Sequence, residues 1–248
     1  MQTDDGVQFG NLDPIAPIAP QICRILRERI VRHDLKPQQK ISESEIALHY
    51  GVSRQPVREA FIRLSVEGLV VILPQRGTLV SRIDAIAVRE ARFIREAVEV
   101  DIVRILVETP GQADLDDLNA QIARQYESAA GDPLDFIRRD DAFHRALADM
   151  AGKAGIWQKI QGLKAQMDRV RMLALSQFPM RKLVDQHAAL VAGIAAGDGA
   201  RAEAALRLHL REVLNELPQI VKSNPAFFDG VADRTEERTV TIGGKETT

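Results

Sequence analysis

Cysteine is nearly missing from this sequence. Cys23 stands alone among 248 residues, which excludes an intramolecular disulfide and a multi-cysteine zinc cluster. It sits in a helical pattern and reads as a small buried residue rather than a reactive thiol. Aromatic residues make up only 4%, with one Trp, while Ala and Leu are plentiful, which favours helices. No apolar run approaches the roughly 20 residues that span a bilayer, so no membrane association is expected. The opening MQTDDGVQFG is acidic and polar and lacks the basic stretch and apolar core of a secretory signal. A cytoplasmic location is expected. No HExxH pattern occurs, so the commonest zinc-hydrolase signature is missing as well.

The composition is that of a globular protein, 45% hydrophobic and 27% charged, and the length allows two ordinary domains. The net charge of −2 conceals an uneven distribution. Residues 15–82 hold eleven Lys or Arg against six Asp or Glu, a balance of +5, which leaves −7 for the remainder. A basic first third joined to an acidic remainder points to a polyanion partner for the first third alone.

Patterning divides the chain into four segments. Residues 1–14 read as disordered, and Pro14, Pro17 and Pro20 delay the first helix. Ile22, Ile25, Leu26 and Ile30 recur at helical spacing over 18–34, before Pro37. Ser42 precedes a short second helix that ends at Gly51, and Ser53 is placed to cap a third, with Val57, Ala60, Phe61 and Leu64 inward. Leu69–Leu73 and Thr78–Ile83 read as two strands around Pro74–Gly77. Three helices and a β-hairpin in this order predict a winged helix-turn-helix over residues 15–83.

Beyond Asp84 the strand signals stop. Helices are expected near 84–108, 112–130, 133–151, 154–177, 180–196 and 199–222, an all-α antiparallel six-helix bundle. The breaks fall at Thr109-Pro110-Gly111, Gly131-Asp132-Pro133, Gly152–Gly155, Pro179 and Gly197-Asp198-Gly199. The fold class is therefore mainly α, with residues 223–248 as a polar, disordered tail.

Residues 42–70, SESEIALHYGVSRQPVREAFIRLSVEGLV, carry the nucleic-acid signal. Gly51 supplies the turn between support and recognition helices. Arg54 and Arg58, four residues apart, project from one face of the third helix. Arginine suits a bidentate grip on guanine or phosphate, and Gln55 lies next to Arg54, within reach of a base edge. Arg76 and Gly77 occupy the wing tip, where a cation enters the minor groove and glycine permits close approach. Double-stranded DNA is the expected partner, and paired half-sites imply a homodimer.

The second domain holds an odder pattern. On the helix near 133–151 the apolar stripe runs Ile137, Asp140, His144, Leu147. Two polar groups thus occupy inward positions, where each carries a desolvation cost unless it finds partners. His187 interrupts the stripe Leu183, Leu190, Ile194, and His209 or Leu210 takes the inward place in the stripe Leu206, Val213, Leu217. Each lies eleven residues from Asp198, at the centre of the intervening turn. In an antiparallel hairpin, equal offsets set both roughly 16 Å from that turn, level with each other. Asp140, His144, His187 and His209 are therefore placed to converge on a divalent metal, with Zn, Ni, Fe and Mn all compatible. Asp141 competes for the carboxylate role, but the i, i+4 spacing favours Asp140. His33 and His49 read as surface residues.

Residues 18–82 resemble the DNA-binding domain of the GntR family of bacterial regulators. The resemblance rests on Gly51-Val52-Ser53-Arg54, Pro56-Val57-Arg58-Glu59-Ala60, Glu67-Gly68-Leu69-Val70 and Arg76-Gly77. It implies operator contacts from Arg54 and Arg58, supported by Ser44, Gln55, Arg76 and Gly77. The loop after the first helix departs from that pattern, reading His33–Gln38 where the family usually carries glycines. Residues 84–222 resemble the FCD effector domain of the FadR-like subgroup. That resemblance implies a metal on Asp140, His144, His187 and His209, and a carboxylate effector held by Arg92, four residues before Glu96.

The expected function is a DNA-binding transcription regulator, not an enzyme, governed by a small organic acid bound at the metal. A direct metal sensor is the main alternative. A metal-dependent hydrolase is weaker, because no general base accompanies the ligands and such an enzyme has no use for a basic winged helix.

Overall fold

A computed structural model describes residues 11–109, 111–175 and 180–229, without the side chains of residues 213 and 214. Residues 1–10 and 230–248 of the two expected disordered segments, the breaks at Pro110 and Pro179, and the Val213 side chain lie outside the described residues.

The N-terminal module begins with α1 (Ile18–Val31), then β1 (Lys40–Ile41), α2 (Glu43–Tyr50), α3 (Arg54–Val66), β2 (Val70–Leu73) and β3 (Gly77–Val80). The three strands form an antiparallel sheet in the order β1-β3-β2. Ile22, Leu26, Val57, Phe61 and Leu64 share one core with Leu69 and Val80. This is a winged helix-turn-helix. β1 was not anticipated; two residues leave no alternation to detect.

Local chemistry explains most boundaries. Ser42 caps α2 by accepting from Glu45 N, and Gly51 ends the helix at φ 63°, a left-handed position that glycine takes without strain. Ser53 stands at the start of α3 but forms no capping hydrogen bond, contrary to its expected role. α1 stops at Val31 rather than Asp34. The loop that follows reaches its left-handed turns with His33 (φ 64°) and Gln38 (φ 67°), which is how it dispenses with glycine.

The C-terminal module comprises α4 (Ala85–Glu108), α5 (Leu115–Ser128), α6 (Pro133–Met150), α7 (Ala154–Leu163), α8 (Ala165–Leu175), α9 (Arg181–Ala195), α10 (Gly199–Asn215) and α11 (Leu217–Ser223). Asp84, Asp114 and Asp132 cap α4, α5 and α6. Two expected helices are each divided, so the six become eight. The last divides before Leu217-Pro218, where proline cannot donate to the preceding turn. The other breaks at Lys164, a buried residue whose ammonium lies 2.8 Å from Asp141 and also pairs with Asp168.

That second break reorients α8 so that it serves both modules. Ala165 joins the N-terminal core, Gln166 donates to Gly68 O, and Arg169 donates to Ser81 O at 2.9 Å. His33 is not a surface residue: its Nε2 lies 3.2 Å from Arg169 O and its ring packs edge-on against Phe227. Burial, then the Arg169 charge, pull its pKa down to about 4. Both expected disordered ends are partly ordered. Asp13 N donates to Gln21 Oε1 at 2.8 Å. Beyond α11 a 3-10 turn (Pro225–Phe227) leads to Phe228, which is buried and bridges to Ile83.

The α9–α10 crossing sets the register of two inward histidines. A Cβ at Gly193 would lie 2.7 Å from Ala202 N and 2.8 Å from its Cα, so only glycine permits this approach. Gly162 in α7 has open space around it. Gly193→Val is expected to cost about 1–3 kcal/mol through overpacking and to lower Tm by several degrees. Gly162→Ala should raise Tm slightly through helix propensity. Thermal melts of the two variants check this pair, and an unchanged Gly193→Val melt would contradict the close crossing.

Candidate functional site

α3 presents the sequence-predicted DNA-reading residues on the exterior. Arg54, Gln55 and Arg58 are exposed near its N-terminus, Ser44 is exposed on α2, and Arg76 and Gly77 are exposed at the wing tip. Glu43, which sequence reasoning had passed over, organises the arginines: its carboxylate lies 3.1 Å from Arg54 Nη2 and 3.3 Å from Arg58 Nη2. Although burial opposes it, these two cations lower the Glu43 pKa. Gln55 Nε2 donates to Glu59 at 3.1 Å. At the wing, Gly77 (φ 94°) lies so near Lys40 that a Cβ would meet its side chain at 2.8 Å.

Inside the bundle the four candidate metal ligands do meet. Asp140 and His144 on α6, His187 on α9 and His209 on α10 each offer an atom, all within 4.8 Å of one another. All four are buried, with Asp140 and His187 at 0% exposure. His209 Nε2 lies 3.1 Å from His144 Nε2 and 3.2 Å from His187 Nε2. Asp140 Oδ1 lies 3.4 Å from His209 Nε2 and 3.5 Å from His187 Nε2. Phe143 stacks on His187 and Trp157 on His144, which limits rotation of both rings.

The outer nitrogens decide which inner ones carry lone pairs. His187 Nδ1 lies 2.7 Å from Gln125 Oε1, an oxygen that can only accept, so Nδ1 carries the proton. His144 Nδ1 lies 2.6 Å from Glu99 Oε2, with the same consequence. The His187 Nε2 then turns an unprotonated lone pair toward Asp140. Burial, reinforced by neighbouring histidines, holds the His187 pKa well below its usual value, and burial lowers that of His209. Asp140 would be raised by burial, but Arg171 and the histidines hold it well below the usual carboxylate range. Its Oδ1 accepts no hydrogen bond among the described residues. Several lone pairs and an ionised carboxylate facing one dry point are chemically incomplete without a cation. The donor set fits a divalent metal.

A cavity of about 210 Å³ opens beside this cluster, with Arg95, Arg171 and His209 on its inner wall and Lys182, Glu212 and Glu216 also lining it. Arg95 Nε donates to Glu99 at 2.7 Å, and Arg171 Nη2 lies 2.6 Å from Asp140 Oδ2. Arg95 Nη2 and Arg171 Nη1 are buried and lack hydrogen-bond partners among the described residues.

Arg92, the expected effector ligand, does not line this cavity. It pairs with Glu96, which also holds Arg207 and Arg211 on α10. These partners hold the Glu96 pKa down to about 2, led by Arg211. Arg95 and Glu99 repeat the same i, i+4 spacing one turn along, and this pair does face the site. Arg171 was missed because nothing local distinguishes it from a surface arginine.

Comparison with known proteins agrees with this architecture. Residues 18–80 match the model for bacterial regulatory proteins of the gntR family, and residues 90–212 match the FCD domain. The chain is 36% identical over 219 residues to the HTH-type transcriptional repressor RspR of Escherichia coli K12, covering 88% of this chain and 96% of that protein. A regulator from an unstable DNA locus of Streptomyces ambofaciens is 35% identical over 204 residues, covering 82% and 86%. Among solved structures, E. coli McbR/YncC superposes with a TM-score of 0.69 at 20% identity, over 82% of this chain and 98% of that one, a likeness of fold. A GntR regulator from Rhodococcus sp. RHA1 gives 0.63 at 25% identity, over 83% and 98%. These relatives regulate transcription, which sets the hydrolase alternative aside. No helix among the described residues is long and apolar enough to cross a membrane. The chain belongs to the GntR family of DNA-binding bacterial transcription regulators, with an FCD domain as its C-terminal module.

Proposed function

We propose that this regulator binds operator DNA as a homodimer through Ser44, Arg54, Gln55, Arg58, Arg76 and Gly77, and that a small carboxylate bound in the bundle sets its operator affinity. The carboxylate occupies the cavity beside a divalent metal held by Asp140, His144, His187 and His209. The observation that carries this reading is the meeting of imidazole lone pairs and an ionised Asp140 beside two buried guanidinium groups with unused donors.

Each group has a distinct task. When bound, the metal supplies a Lewis acid that can take a ligand oxygen. Asp140 and the three imidazoles would hold it, while Glu99 and Gln125 fix the tautomers of His144 and His187. Arg95 and Arg171 supply N–H donors to an anionic ligand. Exclusion of water strengthens all of these contacts.

α8 couples the ligand to DNA. Its Met167, Arg171, Ala174 and Leu175 line the cavity, while Ala165, Gln166 and Arg169 grip the winged helix. A ligand that prefers one setting of α8 thereby prefers one placement of the recognition helix. The dimer is favoured by paired half-sites and by exposed Phe93 on α4 and Leu208 on α10, two helices that pack together.

Two outcomes are expected. Arg58→Ala should weaken binding to a duplex selected in vitro by the wild-type protein by about 1–3 kcal/mol, with fold and metal content unchanged. Retained affinity at physiological salt would remove the recognition-helix assignment. His187→Ala should reduce bound metal from roughly one equivalent per chain to near zero, read by elemental analysis after zinc loading and desalting. Undiminished metal in that variant would rule out the shared site.

A further inference from the structure

The cavity beside the candidate metal centre has two unlike ends, and together they restrict what can fill it. At the inner end, Arg95 and Arg171 are 2% and 6% exposed, and each leaves a guanidinium nitrogen without a hydrogen-bond partner among the described residues. The carboxylates nearest Arg171 Nη1 are 3.6 Å and 3.7 Å away, on Asp168 and Asp141. Unused buried N–H donors on charged groups are costly, and an anionic oxygen relieves the cost.

Much of the remaining wall is hydrocarbon. It is built from Met167, Ala174 and Leu175 of α8, Leu183 of α9 and Leu210 of α10. These side chains offer no hydroxyl or amide to a ligand. Two polar groups elsewhere in the lining pair with each other: Lys182 Nζ bonds Glu212 at 2.6 Å, and Gln186, which is outside the lining, donates to the other Glu212 oxygen at 3.0 Å. Glu216 adds a further negative charge, which would repel a second ligand carboxylate.

We infer that the regulatory ligand is an amphipathic monocarboxylate, one acid group on a compact aliphatic or aromatic body, and not a polyhydroxylated acid or a dicarboxylate. The inference rests on the cavity being the effector site. Its volume of about 210 Å³ sets the size of the body. An apolar cavity of about 150 Å³ accommodates benzene, so this one admits a ring or short branched chain together with its carboxylate. A sugar acid would bury several hydroxyls against carbon, and each unpaired hydroxyl weakens binding on the order of tenfold.

The test is a calorimetric titration of the zinc-loaded full-length protein with butyrate, hexanoate, octanoate and 3-phenylpropionate, and with gluconate, tartrate and succinate. Affinity is expected to rise roughly fourfold per added methylene until the cavity is full. The hydroxy acids and succinate should bind at least tenfold more weakly than the apolar acid of equal length. Leu183→Asn, at a partly buried position, should weaken 3-phenylpropionate about tenfold while leaving zinc content unchanged. If gluconate, tartrate or succinate binds more tightly than every apolar acid, the inference is overturned and the acid-effector reading stands. If no acid binds although zinc is retained, both are overturned.

Discussion

An ionised carboxylate sealed from water must be compensated by its surroundings, and the C-terminal module is organised around that requirement at Asp140. Five helices answer it. α6 contributes Asp140 and His144, α8 brings Arg171 within 2.6 Å of the carboxylate, α9 and α10 bring His187 and His209, and α4 supplies Arg95 and Glu99. The compensation is layered. Arg171 balances the charge of Asp140, Glu99 fixes the proton of His144, and Arg95 in turn balances Glu99, whose pKa falls to about 2 even though burial opposes it. A bundle made of leucine alone could settle into several registers. This one is penalised for any register that leaves a buried charge uncompensated.

The same requirement reaches the DNA-binding module because Arg171 belongs to α8. That helix is eleven residues long and carries two sets of obligations. Toward the bundle it presents Met167, Arg171, Ala174 and Leu175, and toward the winged helix Ala165, Gln166 and Arg169. Arg169 is fully buried, and burial lowers its pKa to about 10, so its bonds to Ser81 replace water that it has lost. Short, packed and bonded at both faces, α8 cannot move against one module without disturbing the other.

Legibility followed the range of the interactions involved. The winged helix was readable because its signals are local: the Ser42 cap, the left-handed Gly51 and the paired Arg54 and Arg58 each act within a few residues. The buried cluster of Asp140, His144, His187 and His209 was readable because a helix repeats every 3.6 residues, and a polar group on an apolar stripe is visible as an exception. The equal spacing of His187 and His209 from Asp198 was visible too. Arg95, Arg171, Gln125 and Glu99 were not, since their roles come from partners 31 to 62 residues away or from a helix face shared with unremarkable neighbours. The break at Lys164 and the packing of His33 escaped for the same reason: Lys164 pairs with Asp141 on α6, and His33 meets Arg169 and Phe227 of the other module. The division before Pro218 is a local signal, because proline cannot donate to the preceding turn.

By itself, then, the amino-acid order determined most of the elements, the exposed arginine face of α3 and the convergence of Asp140, His144, His187 and His209, because these follow from backbone geometry and side-chain period. Tertiary structure decided which arginines face the cavity, which nitrogen of each oriented histidine keeps its lone pair, and how α8 joins the two modules. Those outcomes depend on charge and solvation across helices distant in the chain. Coulombic and desolvation energies are set by separation in space, which spacing along a sequence does not specify.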